Sequence, residues 1–282
     1  MQQENTTSSV KIIEVSGGKL AYEVAGQGPV VLCLPSMGDT RREFERLTPQ
    51  LLAAGYRVIT TDLRGMGQSR GHFASYTIQA LSADIEAILE AEQVERVFLV
   101  ACSISAASAG LFALEHPERV LGLVMISPMV STPSNMLVPI LLATSLRVPV
   151  MGRTIWMSYF KSLYPLHPVE PDYLADLDTM LKQPGSMKSA AGMILAPRLD
   201  EHLAQIHVPT LAYFCTKDPD FSNEQGVRTA AAKFQQQLPN AEVIVLDGLG
   251  HYPHREAPES VAPKIVGWLD ALKISSAINK QQ

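Results

Sequence analysis

The chain of 282 residues is poor in cysteine and tryptophan and has no basic runs. Its three cysteines, Cys33, Cys102 and Cys215, are too sparse and odd in number for a disulfide framework. No Cys-x-x-Cys pair points to zinc, and His72, His116, His167, His202 and His207 lack metal-like spacing. With 28 acidic against 23 basic residues the net charge is −5, the wrong sign for nucleic acid or an anionic membrane surface as partner. No apolar stretch is long enough to span a bilayer; the best, Met136–Leu146, is short and carries Pro139. The first ten residues are polar and lack the apolar core of a secretion signal. Together these absences predict a soluble, reduced, cytoplasmic protein. What is present is apolar: 46% hydrophobic against 18% charged residues argues against disorder and for one large domain, or one domain with an insert.

Strand and helix patterns alternate through both ends of the chain. Lys11–Val15 and Lys19–Val24 read as strands joined by a Gly17-Gly18 turn. Pro29–Leu34, Tyr56–Thr61, Val97–Val100 and Leu121–Ile126 read as further strands, with helices at Glu43–Ala54, Ile78–Ala91 and Ile104–Glu115 between them. From Ser131 to about Ile206 the pattern is helical and interrupted by proline at 133, 139, 149, 165, 168, 171, 184 and 197. Alternation resumes with Thr210–Cys215, Gln225–Leu238, Val243–Leu246 and a last helix at Ser260–Leu272, after which the tail from Ile274 is expected to fray. The expected fold is α/β: a mostly parallel central sheet of about eight strands, helices on both faces, and an inserted helical cap. Residues 1–130 and 207–282 form the expected core and 131–206 the cap. Ligands of such sheets bind beyond the carboxyl ends of the strands, so the loops leaving the strands carry the search for a site.

The strongest local signal is Val100-Ala101-Cys102-Ser103-Ile104-Ser105-Ala106, where a strand runs directly into a helix. A serine on such a sharp turn takes a strained backbone, and the residues two before and two after it must be small. Ser103 satisfies this with Ala101 and Ser105. Cys102 at the tip has branched Val100 and Ile104 as those neighbours, and Ser105 at the tip ends the strand two residues late. The helix start after Ser103 presents free N–H groups suited to a developing oxyanion. The bland alternative is an ordinary helix-capping serine.

These residues resemble the α/β-hydrolase superfamily, in its branch of serine hydrolases with a helical cap. The family elbow is Gly-x-Ser-x-Gly, and this chain has Ala101-x-Ser103-x-Ser105. Asp62-Leu63-Arg64-Gly65-Met66-Gly67-Gln68-Ser69 matches the family's Asp-x-Arg-Gly-x-Gly-x-Ser loop, a structural signature. The resemblance covers about residues 10–130 and 205–273. It implies a histidine after the last strand and an acid after the one before, which places His251 in Gly250-His251-Tyr252-Pro253 and Asp218 in Thr216-Lys217-Asp218-Pro219-Asp220. The order Ser103, Asp218, His251 is that of the fold. An acid after Leu121–Ile126 is excluded, because Ser127 to Pro168 contains no Asp or Glu. Asp220 is the runner-up acid, and His254 is expected at the surface or in support. The resemblance also implies an oxyanion hole from the backbone N–H groups of Met37 and Ile104. Here Pro35-Ser36-Met37-Gly38-Asp39, a loop like that of a subset of bacterial members, stands where the family usually has His-Gly-x.

The chemistry implied is acyl transfer without a cofactor or metal, on a small to medium, apolar ester, lactone or thioester. C–C bond hydrolysis or a lyase reaction on the same triad is the alternative, and a non-catalytic ligand-binding relative is a third. An elbow aspartate, the nucleophile of dehalogenases and epoxide hydrolases in this family, is absent. Trp156, Tyr159 and Met193 are the expected pocket residues of the cap, and Cys102 is either a packing residue or a redox-sensitive thiol. Nothing in the sequence fixes an oligomeric state.

Overall fold

The computed structural model of the protein describes residues 9–132, 135–148 and 150–278. The elements run β1 (Lys11–Val15), β2 (Gly18–Ala25), β3 (Val30–Leu34), α1 (Thr48–Ala53), β4 (Arg57–Thr61), α2 (Ile78–Ala91), β5 (Val97–Cys102), α3 (Ile104–Glu115) and β6 (Val120–Ile126). Four helices follow, α4 (Leu137–Leu146), α5 (Met151–Ser162), α6 (Pro171–Lys182) and α7 (Ser186–Ile194). Then come β7 (Thr210–Cys215), α8 (Glu224–Gln237), β8 (Ala241–Leu246), α9 (Pro253–Glu256) and α10 (Pro258–Ile278).

All eight strands form one sheet in the order β1-β2-β4-β3-β5-β6-β7-β8. The β1–β2 and β2–β4 pairs are antiparallel and the others parallel. Strands β3, β5 and β7 are buried along their whole length, which is why they read as unbroken apolar runs rather than alternating ones. Helices cover both faces. A side chain at Gly122 of β6 would strike Trp268 and Leu272 of α10, whereas Met125, three residues on and facing the other way, lies against Gly110 of α3. Truncating a core residue such as Leu99 costs about 2–5 kcal/mol by cavity formation.

Two expectations need correction. The single helix expected at Glu43–Ala54 is divided into a 3-10 turn at Arg41–Phe44 and α1, which carries Pro49 in its first turn. Proline fits there because its missing N–H is not needed at a helix start. The last helix is longer than Ser260–Leu272, beginning at Pro258 and staying helical past Ile274 to Ile278. Pro133, Pro149, residues 1–8 and residues 279–282 lie outside the described residues. Among the described residues no helix is long and apolar enough to cross a membrane.

The insertion between β6 and β7 is tied to the loops at the carboxyl ends of the strands. The His251 N–H donates to the Leu163 carbonyl at 3.0 Å and the Leu166 N–H to Glu256 Oε1 at 2.8 Å. Tyr252 stacks on Tyr164 with ring centres 4.9 Å apart. The insertion is thus packed directly onto the loops that carry the candidate residues.

Candidate active site

Strand β5 ends at Cys102 and α3 begins at Ile104, leaving Ser103 alone on the turn with φ 58° and ψ −122°. A non-glycine residue at positive φ is strained and persists only where its surroundings dictate it. The Ser103 N–H donates to the Ile126 carbonyl at 2.9 Å, and the Met129 N–H donates to the Ser103 carbonyl at 3.1 Å. Ala101 and Ser105 are fully buried. Ser105 does more than stay small: its Oγ donates to the Pro35 carbonyl at 2.5 Å, joining the helix of the turn to the loop after β3. The Ser103 hydroxyl is 2% exposed as a residue and donates to Met129 Sδ at 3.1 Å. Among the described residues it makes no hydrogen bond to His251.

His251 follows β8 and is 2% exposed. Its Nδ1 lies 2.8 Å from Asp218 Oδ2 and 3.6 Å from Asp220 Oδ2. The Asp220 N–H donates to Asp218 Oδ1 at 3.0 Å, and the Tyr159 hydroxyl donates to Asp220 Oδ1. The Ser127 hydroxyl, one residue beyond the carbonyl that receives the Ser103 N–H, donates to the His251 carbonyl at 2.9 Å. These bonds bring the loops after β5, β6, β7 and β8 to one place. Burial acts to lower the His251 pKa, but the Asp218 charge and hydrogen bond, with Asp220 behind them, outweigh it and push it up to about 9. Burial raises the Asp220 carboxyl, reinforced by Asp218 and opposed by His251.

The loop after β3 carries Met37. Neither the Met37 N–H nor that of Ile104, the first residue of α3, has an acceptor among the described residues. Gly38 sits at φ +72°, and a side chain there would run into the Trp156 indole at 2.3 Å. Trp156 thus lies over this loop, 5.6 Å from the Tyr159 ring, with its buried indole N–H unpartnered. Met193 is fully buried in α7, its carbonyl accepting from Arg198 at 3.2 Å.

The sequence profile described as "Alpha/beta hydrolase family" matches residues 31–264. The chain belongs to that family. Over 95% of its length it is 27% identical to a 2-hydroxy-6-oxononadienedioate/2-hydroxy-6-oxononatrienedioate hydrolase from Paraburkholderia xenovorans, 96% of which is covered. A shorter stretch, 36% of this chain and 29% of the relative, is 35% identical to epoxide hydrolase B from Mycobacterium tuberculosis. In structure it is similar to an esterase from Exiguobacterium antarcticum, at TM-score 0.80 and 20% identity over 92% of this chain and 98% of that one.

The Asp62–Ser69 loop of this alpha/beta hydrolase is structural. Asp62 accepts from the backbone N–H groups of Arg41 and Gln68, both at 2.8 Å. Gly67, at φ +49°, lets the chain pass so close to the Asp62 carboxylate that a side chain would stand 2.0 Å from it. Arg64 holds Asp84 through two nitrogens, at 2.7 and 2.6 Å.

Several residues of the site have no sequence signal. Met129, the partner of the Ser103 hydroxyl, also bounds a cavity of about 570 Å³ with Val130, Phe214, Phe221, Phe234 and Asp220. Trp156, Tyr159 and Met193 are not among its walls. His254, expected at the surface or in support, is wholly buried; its ring stacks on Phe44 at 5.2 Å and its Nε2 lies 3.3 Å from Glu43 Oε1. Glu43 is itself fully buried and receives both the N–H and the hydroxyl of Ser36.

Among the described residues, two groups bring three potential metal ligands within 4.8 Å: Asp218, Asp220 and His251, and separately Glu43, Cys102 and His254. In the first, two of the ligand atoms, His251 Nδ1 and Asp218 Oδ2, already bond each other. In the second, burial and then the Glu43 charge hold the Cys102 thiol well above its ordinary pKa, so the thiolate that metals and oxidants prefer is disfavoured.

Proposed function

We propose that this alpha/beta hydrolase is a cofactor-independent serine hydrolase cleaving a small to medium, rather apolar ester, lactone or thioester. The observation that carries the reading is the conjunction of Ser103 on its strained turn with a buried His251 held 2.8 Å from Asp218. Ser103 Oγ forms a bond to the substrate carbonyl carbon and gives its proton to His251 Nε2. The carbonyl electron pair moves onto oxygen, which the Met37 and Ile104 N–H groups receive. Collapse expels the alcohol or thiol, which takes the proton from His251. Water then repeats the sequence on the acyl-enzyme. In this scheme substrate turns the Ser103 hydroxyl from Met129 toward His251. Asp218 fixes the tautomer and stabilises the imidazolium.

The insertion at 131–206 acts as the cap of this site, with Trp156, Tyr159 and Met193 on the substrate side. The unpartnered Trp156 indole N–H is then a donor for a substrate oxygen. Three free, buried cysteines suit a reducing cytoplasm.

A second reading has one favouring observation: the Paraburkholderia relative, covered nearly end to end, is named as a hydrolase of 2-hydroxy-6-oxononadienedioate. On that reading the same serine hydrolyses a C–C bond next to a ketone.

A fluorophosphonate probe with mass-spectrometric mapping tests the shared nucleophile. Labelling at Ser103 that disappears in His251→Ala is expected; a folded, unlabelled wild-type protein overturns the reading. Matched ester and diketone panels then separate the two chemistries.

A further inference from the structure

We propose that Glu43 is a positioning residue: it acts through Ser36 to hold the Met37 N–H where an oxyanion forms. The proposal rests on the serine-hydrolase reading above. Both donors of Ser36 end on one atom, Glu43 Oε2, the N–H at 2.7 Å and the hydroxyl at 2.8 Å. Because Ser36 spends its only hydroxyl proton there, the Tyr252 hydroxyl donates to Ser36 Oγ at 2.6 Å. Tyr252 is the neighbour of His251 in the chain, so one residue of the loop is bonded to both Glu43 and the histidine segment. On the other side of Ser36, the Pro35 carbonyl is pinned by Ser105 from the nucleophile's helix. At the far end of the loop, Asp39 Oδ1 accepts from Tyr173 at 2.6 Å and from the Thr40 N–H at 2.7 Å.

The Ser36–Met37 peptide, whose N–H is the free one, therefore lies in a loop gripped by buried hydrogen bonds at Pro35 and Ser36 before it and at Asp39 after it. Rotation of that peptide moves the N–H away from the reacting oxygen, and an error near 1 Å costs about 10²-fold in rate. A glycine in place of Ser36 offers no hydroxyl for such a grip. Serine does, and Glu43, fully buried seven residues later, is the acceptor that uses it. Where fold stability alone is at stake, apolar residues commonly do as well as a buried acid. Function gives the acid a reason to be there.

The test uses the full chain, an aryl butyrate ester and a trifluoromethyl ketone that forms a tetrahedral adduct with the serine. Glu43→Ala is expected to lower kcat by about 10²-fold with KM within about 3-fold, as for loss of an oxyanion donor. The ketone should weaken in parallel. Glu43→Gln, which keeps an oxygen acceptor, recovers most of both. Ser36→Ala, which removes the hydroxyl half of the grip, loses about 10-fold, within the range for one hydrogen bond. A merely structural role lowers Tm and the active fraction but leaves the ketone affinity of the active fraction unchanged. Unchanged kcat and ketone affinity in folded Glu43→Ala overturn the proposal, and if that variant does not fold, the same result in Ser36→Ala does. If the wild type shows neither ester turnover nor fluorophosphonate labelling at Ser103, the serine reading fails and this proposal falls with it; labelling with neutral Glu43 variants overturns this proposal alone.

Discussion

Two acid–histidine pairs lie buried in this molecule, and they are opposites. His251 faces Asp218 with Nδ1 and Oδ2 2.8 Å apart in good hydrogen-bond geometry, and its pKa is pushed up to about 9. His254 lies 3.3 Å from Glu43, neither ring nitrogen has an aligned partner, and its pKa is lowered, by burial first, with Arg255 and His251 adding to it against Glu43. Both imidazoles are essentially inaccessible. The difference is therefore one of partner geometry, not of burial: an aligned carboxylate offsets desolvation, and a misaligned one shared with Ser36 does not. The first pair is equipped to carry a proton, the second to stay neutral and hold a loop.

The largest effect that sharpens this contrast is removal of the proposed proton carrier or the proposed nucleophile. His251→Ala or Ser103→Ala should lower kcat by about 10⁴–10⁶-fold with the fold retained by circular dichroism. Asp218→Asn comes next, at about 10³–10⁴-fold. Asp220→Asn should cost less than about 10-fold, because Asp220 stands 3.6 Å from the ring rather than 2.8 Å, near the range of a peripheral hydrogen bond. The reverse order in measured kcat would exchange the roles of the two acids.

The pH dependence tests the pairs directly. On the proposed serine-hydrolase mechanism catalysis needs neutral His251, so kcat/KM should rise with pH to a half-maximum near 9, and Asp218→Asn should move that midpoint down. In NMR titration the His254 ring should stay neutral over the range in which His251 keeps its proton.

Stability should move the opposite way. His251 at about 9 and Asp39, raised to about 8 by burial and by Glu43, both keep protons that the unfolded chain releases at lower pH. The His251 contribution is nearly whole at pH 6, whereas that of Asp39, whole only below the ordinary carboxylate range, is already partly lost there; what remains of both is lost as pH rises through 8 and 9. Tm should therefore fall from pH 6 to 9, and Asp39→Asn should flatten the slope. The smallest expected effect concerns Cys102, beside Glu43: it should resist a thiol reagent in the native state and react only on unfolding, as followed by mass.

The turn at Ser103 is legible in the sequence because it is local. A strand of six buried residues, a serine with small neighbours and a helix of small residues are contiguous, and their sterics impose the positive φ. The strands are legible because a sheet covered on both faces needs unbroken apolar runs. The Glu43 network is not legible, since its members are far apart in the chain: Ser36 and Tyr252 are 216 residues apart and Tyr173 and Asp39 are 134 apart. Glu43 itself occurs in a charged stretch, Arg41-Arg42-Glu43, that looks like a solvated helix face until the 3-10 turn folds it inward. Asp218 and Asp220 are chemically alike, and in the sequence only the family resemblance ranks Asp218 first; in the structure the packed loops set Asp218 0.8 Å nearer to the ring, at 2.8 Å against 3.6 Å.

By itself, then, the sequence determined the alternation of strands and helices, the strained serine and the family, because local sterics and hydrophobic periodicity act over a few residues. The tertiary structure alone decided that Glu43 meets His254, that Ser105 and Glu43 brace the loop carrying Met37, and that His254 is buried. Those outcomes depend on ångström distances between segments that no local pattern encodes.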